Sequence, residues 1–359
     1  MLLFDGHLDL AMNALMWNRD LTLTVSEMRR LEVESGIQKK GFGRGTVSYP
    51  DMRRGHIGLC IATVIARCQK PGNPLPGFRA AESAYASAMG QLAYYRLREQ
   101  QGILRFLHDL PSLDAHVAEW RAGLAAGDVE SLPIGLILTM EGADPVVYPE
   151  QLHAWKAAGL RCIGLSHYGL SNYAHGTATV GGLTDMGRAL LPEVEKAGLL
   201  LDLTHLADDA FWEVMDRYNG PVQGSHQCCR ALVPGDRQMD DRQLQAVFER
   251  GGVVGVALDA WMLYRDWQRD VTGPTPDKNL TAVADQIDHI CQLAGNTRHA
   301  GIGTDLDGGY GTEQTPADLD TIADMQNVAD LLRPRGYSES DIQAIFSDNL
   351  INLFRRIWS

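Results

Sequence analysis

Seven polar residues stand where short apolar runs end, and their types are those that bind metals and move protons. His7 and Asp9 follow the run 2–5 through Asp5-Gly6. In an extended chain, side chains at i and i+2 point the same way, so this imidazole and carboxylate can share one ion. The donor pair suits zinc or a similar divalent metal. Glu141 follows the run 134–140, His167 the run 161–166, His205 the run 199–204, His226 the run 221–225 and Asp305 the run 300–304. Singly, each has a plainer explanation. A strand-end histidine is commonly a hydrogen-bonded structural residue, and a strand-end acid is commonly a helix N-cap. Their shared placement favours a single site.

Four ligands on one ion, with one acid left over, would suffice for a mononuclear hydrolase. Three histidines with Asp9 and Glu141 divide better between two ions, because a carboxylate can bridge metals about 3.5–4 Å apart. His7 and Asp9 would then hold one ion and His205 and His226 the other, with Glu141 between them. A bridging hydroxide becomes available near neutral pH, since coordination lowers the water pKa toward about 7. Asp305 is not needed as a ligand and can shuttle the proton. His56, His108, His116, His153, His175, His289 and His299 lack the strand-end placement and are read as structural.

The elements that would position these residues are eight short runs at 2–5, 56–66, 134–140, 161–166, 199–204, 221–225, 252–258 and 300–304. Being apolar on both faces, they fit strands of a parallel sheet covered by helices. Amphipathic segments at 78–101, 185–197, 207–218, 240–250, 280–294 and 316–332 lie between or after them. In the first, Ala84, Ala88, Leu92 and Tyr95 form one stripe. Asp240 and Thr281 are expected N-caps, Gly198 and Gly295 expected C-caps. The alternation predicts an α/β fold, a (β/α)8 TIM barrel, with its chemistry at the carboxyl ends of the strands. One domain over 1–359 is expected, with insertions at its C-terminal face: a loop or lid at about 17–50, an extra helix at about 110–132, and a loop over the mouth at about 261–279.

A net charge of −13 without a Lys/Arg cluster argues against a nucleic-acid partner, and no apolar run reaches the length of a membrane span. The six cysteines include no C-x-x-C pair, and nothing near Met1 resembles a signal peptide. A cytoplasmic, disulfide-free protein is expected.

In order along the chain, Asp5-Gly6-His7-Leu8-Asp9, Glu141-Gly142, Leu165-Ser166-His167, Leu201-Asp202-Leu203-Thr204-His205, Ser225-His226, Asp236-Arg237, Asp305-Leu306-Asp307-Gly308 and Ser347-Asp348-Asn349-Leu350 resemble the membrane (renal) dipeptidase family of the amidohydrolase barrels. That resemblance implies a dinuclear zinc dipeptidase with two Zn2+ per chain, bound by His7 and Asp9 and by His205 and His226, and bridged by Glu141. It further implies that His167 contacts the substrate carbonyl, Arg237 holds the substrate carboxylate and Asp305 is the acid/base. Arg230 and Arg242 are nearby alternatives to Arg237, whose plainer role would be a surface salt bridge. The implied substrate is a small dipeptide with a free C-terminal carboxylate and a D-residue allowed on that side. A homodimer would also fit the family.

The resemblance has departures. The secretion, disulfides and lipid anchor of the animal members find no support here, and Leu258-Asp259-Ala260-Trp261 lacks their aromatic and amide pattern. The alternatives are hydrolysis of N-acyl-amino acids, β-lactams or lactones on the same metals, or a non-catalytic binding barrel.

Overall fold

A computed structural model describes residues 1–359. Its nine strands are β1 (Leu3–Leu8), β2 (Ile57–Ile65), β3 (Leu104–Phe106), β4 (Ile134–Glu141), β5 (Leu160–Gly164), β6 (Leu200–Asp202), β7 (Val222–Gln227), β8 (Val254–Val256) and β9 (Ala300–Ile302). The order is β2-β1-β9-β8-β7-β6-β5-β4-β3, and an additional β2–β4 pairing closes the ring. Every pairing is parallel. Eight strands therefore form the closed barrel of a (β/α)8 fold. The ninth, β3, lies outside it, on the first residues of β4 (Leu104 beside Ile134), while β5 pairs further along that strand (Leu160 beside Leu138). Three residues carry no periodicity, which is why β3 is absent from the eight sequence-based runs.

β2 and β4 are buried at every position, as strands covered on both faces must be. Close approach of the strands depends on glycine at one layer of the barrel. A Cβ on Gly303 would stand 1.8 Å from the Ser225 carbonyl oxygen, and one on Gly255 would stand 2.1 Å from it. The helix Ala81–Gln100 buries Ala84, Ala88, Leu92 and Tyr95, the stripe read from the sequence. Asp240 caps Asp241–Glu249 through a capping box. Gly198 and Gly295 end their helices in the left-handed conformation, at φ 60° and 65°.

Four sequence-based expectations need correction. His7 lies inside β1 and Glu141 is the last residue of β4, so the strands run further than the apolar residues do. The 17–50 insertion is partly helical. Thr24 and Glu27 form a capping box that starts Val25–Glu34, and the glycines that suggested a loop follow that helix. Segment 316–332 is not one helix but a 3-10 turn at Ile322–Gln326 followed by Asn327–Leu332. Thr321, within that segment, caps Ile322–Gln326. The Thr281 side chain does not cap Thr281–Ala294; Asn279 Oδ1 accepts the Thr281 N–H at 3.0 Å, and Asp318 accepts the Leu280 N–H at 2.8 Å.

The extra helix expected over 110–132 is present as Leu110–Ala126. The 261–279 segment opens with the short helix Ala260–Leu263 and meets the 17–50 insertion through Lys40 and Asp270, 2.7 Å apart. Near the C-terminus, Asn349 donates to the Thr297 and Ala300 carbonyls at 2.6 and 2.8 Å and pins the start of β9. All six cysteines are buried and unpaired. No helix is long and apolar enough to cross a membrane.

Candidate metal centre and substrate pocket

Glu141, ending β4, points one carboxylate oxygen at four imidazoles. Its Oε1 lies 3.4 Å from the Nε2 atoms of His205 and His226, 3.5 Å from that of His7 and 3.8 Å from that of His167. These separations exceed good hydrogen-bond lengths. His205 and His226 turn their Nε2 atoms toward each other at 3.3 Å, and His7 Nε2 is buried with no partner. Donor atoms of His7, Asp9 and Asp305 lie within 4.8 Å of one another, as do those of His7, Glu141 and His226 and those of Glu141, His167 and His205. None of the seven histidines read as structural joins such a group.

The surroundings of His226 fix which of its nitrogens is free. Ser225 gives its hydroxyl proton to Asp202, so its oxygen accepts from His226 Nδ1–H at 2.8 Å and Nε2 keeps its lone pair. Thr177 meets His205 Nδ1 at 2.9 Å, on the side away from Glu141. His205 Nε2 faces that lone pair at 3.3 Å. Two ligands on a tetrahedral zinc, each at about 2.0–2.1 Å, stand about 3.3 Å apart. The residues present therefore fit a metal.

Electrostatics point the same way. Burial opposes charge on His7, yet Glu141, Asp9 and Asp305 raise its pKa to about 10, so these carboxylates demand a positive partner. Burial and repulsion from Glu141 push Asp9 up to about 6. Glu141 resists the upward push of burial because His7 and His167 hold it well below the usual carboxylate range. Burial, with Asp9 and Glu141 nearby, raises Asp305 well above that range.

His205 and Asp305 have positive φ, 68° and 55°, uncommon away from glycine and characteristic of sites where geometry outweighs backbone comfort. A Cβ on Gly308 would meet Asp305 Oδ1 at 2.2 Å, so the turn at Asp305 depends on that glycine.

The cluster opens into a cavity of about 550 Å³ lined by Glu141, His167, His205, Arg237 and Asp305 among others. Arg237 is 2% exposed, donates through Nη2 to the His226 carbonyl at 3.0 Å, and leaves Nη1 buried without a partner. The alternatives are engaged elsewhere: Arg230 grips Asp208 at 2.8 Å and Arg242 lies over Trp212.

Six of the eight sequence-derived site residues line this cavity, and His7 and His226 lie buried beside Glu141. Asp202, Thr177, Arg67 and Asp259 were not singled out. Asp202 lies inside a motif that was read for its histidine. Arg67 stands one residue past the run 56–66, where the strand-end rule applied elsewhere would have flagged it. Asp259 lines the cavity, held by Gln314 Nε2 at 2.8 Å and Trp261 Nε1 at 2.6 Å, and burial raises its pKa to about 6.

A closed parallel barrel with imidazoles and carboxylates converging at the carboxyl ends of its strands defines a barrel metallohydrolase. The family model for membrane dipeptidase (Peptidase family M19) matches residues 1–358, and the chain belongs to that family. It is thereby an enzyme of the metallo-dipeptidase class. Dipeptidase 3 of Homo sapiens is 29% identical over 183 residues, which are 51% of this chain and 35% of that protein. The crystal structure of dipeptidase AC, a metallopeptidase, is 25% identical with a TM-score of 0.77 and covers 100% of this chain and 99% of its own. A Rhodobacter sphaeroides metallopeptidase, liganded with a phosphinate mimic of L-Ala-D-Ala, is 24% identical with a TM-score of 0.77 and the same coverage.

Proposed function

We propose that the chain is a dinuclear zinc dipeptidase that cleaves small dipeptides bearing a free C-terminal carboxylate, L-Xaa-D-Xaa among them. The observation that carries this proposal is Glu141 Oε1 among four imidazole nitrogens at 3.4–3.8 Å, with an unpaired guanidinium nitrogen on the same cavity. His7 and Asp9 would hold one zinc, His205 and His226 the other, and Glu141 would be shared. When bound, the metals supply Lewis acidity and a water acidic enough to act near neutral pH.

The remaining residues bind, orient and move the proton. Arg237 offers Nη1, buried and without a partner, to the substrate carboxylate, a charge-assisted contact. His167 donates toward the scissile carbonyl. Asp305 takes a proton during attack and returns it to the departing amine, because an amide anion is too poor a leaving group to depart unprotonated. The Rhodobacter sphaeroides protein's L-Ala-D-Ala mimic supports a D-residue at the carboxyl side.

Zinc-loaded protein should cleave L-Ala-D-Ala and leave its C-terminal amide nearly untouched. Faster turnover of N-acyl-amino acids or lactones than of any dipeptide would replace this function with the corresponding hydrolysis on the same metals.

A further inference from the structure

Arg67 lies two residues beyond β2, among Glu141, Asp9 and Asp144. Its Nη1 is 3.2 Å from His167 Nδ1, and this is the one hydrogen bond that the His167 ring makes. The approach is held from both sides. The Arg67 carbonyl accepts the Phe78 N–H at 2.7 Å, and the next residue, Cys68, donates its N–H to Asp144 at 2.7 Å. Asp144 in turn accepts the Asn172 N–H at 2.7 Å from the loop that follows His167. One carboxylate thus ties the backbone after β2 to the backbone after β5.

A guanidinium has five N–H donors and no acceptor. A contact between Arg67 Nη1 and an imidazole nitrogen is a hydrogen bond only if that nitrogen carries a lone pair. His167 Nδ1 therefore accepts, and the ring's proton sits on Nε2, the atom 3.8 Å from Glu141 Oε1 that faces the cavity. A proton on Nδ1 would set N–H against N–H. We infer that Arg67 is the positioning residue that fixes His167 as an Nε2–H donor aimed at the reacting carbonyl, through the 3.2 Å contact between Arg67 Nη1 and His167 Nδ1. The inference rests on the dipeptidase function proposed above for its consequence in turnover, but the tautomer itself can be read without substrate.

The test uses zinc-loaded protein labelled with 15N-histidine, with His167 assigned by its loss in His167→Gln. The native protein should show a lone-pair nitrogen at Nδ1 and a protonated Nε2. Arg67→Met should convert His167 to a mixed or Nδ1–H tautomer and lower kcat for L-Ala-D-Ala by about 10–100-fold with little change in KM. Arg67→Lys, which keeps a donor, should retain the native tautomer and recover part of the rate. A protonated Nδ1 in the native protein overturns the inference outright, whether or not the variants fold, and so does a tautomer unchanged in folded Arg67→Met. A native protein that shows the Nδ1 lone pair yet cleaves no dipeptide leaves the role of Arg67 standing and removes the dipeptidase function.

Discussion

The roles proposed for Arg237 and Asp305 separate binding from chemistry. Arg237 leaves one nitrogen buried and unpaired, so it is already desolvated for a carboxylate. Arg237→Met should raise KM for free-acid dipeptides by the equivalent of about 2–5 kcal/mol, with a smaller effect on kcat. Steady-state kinetics on paired acid and amide substrates check this. Equal cleavage of both by the native protein would rule out the clamp. Asp305 is 15% exposed on its side chain and stands 3.9 Å from His7 Nε2, close enough to be a ligand as well as a proton carrier. Asp305→Asn keeps the shape and removes the proton. It should keep its zinc and its affinity for a phosphinate dipeptide mimic while losing about 10²–10⁴ in kcat. Zinc lost together with activity would make Asp305 chiefly a ligand.

The strands hold the site through glycines as much as through apolar side chains. Gly303 and Gly255 pack on the carbonyl of Ser225, whose side chain orients His226. Gly303→Ala would force β9 away from β7, at about 3 kcal/mol or more, and should lower Tm by about 4 °C or more while weakening zinc retention. An unchanged melting temperature in calorimetry would show that the barrel relaxes at no cost there. The barrel and its site residues were legible because chemistry and hydrophobicity coincide: each apolar run stops where a donor begins. What was not legible depends on distant partners. β3 needs the start of β4 beside it, and Asp318 reaches the Leu280 N–H from 38 positions away. Asp202 acts through Ser225 and has no donor pattern of its own, while Arg67 follows an apolar run as the site histidines do but is no metal ligand. The helix Val25–Glu34 carried its Thr24–Glu27 capping box in plain sequence, and the glycines after it obscured the signal.

Over the whole molecule, stability should fall in mild acid for a reason separate from the metal site. Burial, with Arg105 close by, holds the pKa of His116 down from 6.5 to about 4 against the opposing pull of its bond to the Gly58 carbonyl. Between those values the unfolded chain takes up a proton that the folded chain refuses. The contribution of about 3 kcal/mol is therefore fully present above pH about 6.5 and is lost as pH falls to about 4. Urea unfolding across that window should show a steeper decline for the native protein than for His116→Gln; parallel curves would contradict it. Whether two ions share Glu141 is decided by zinc stoichiometry. Elemental analysis after zinc loading and dialysis should give close to two zinc per chain for the native protein and clearly fewer for Glu141→Gln. A single tightly held zinc, unchanged by Glu141→Gln, would contradict the dinuclear centre.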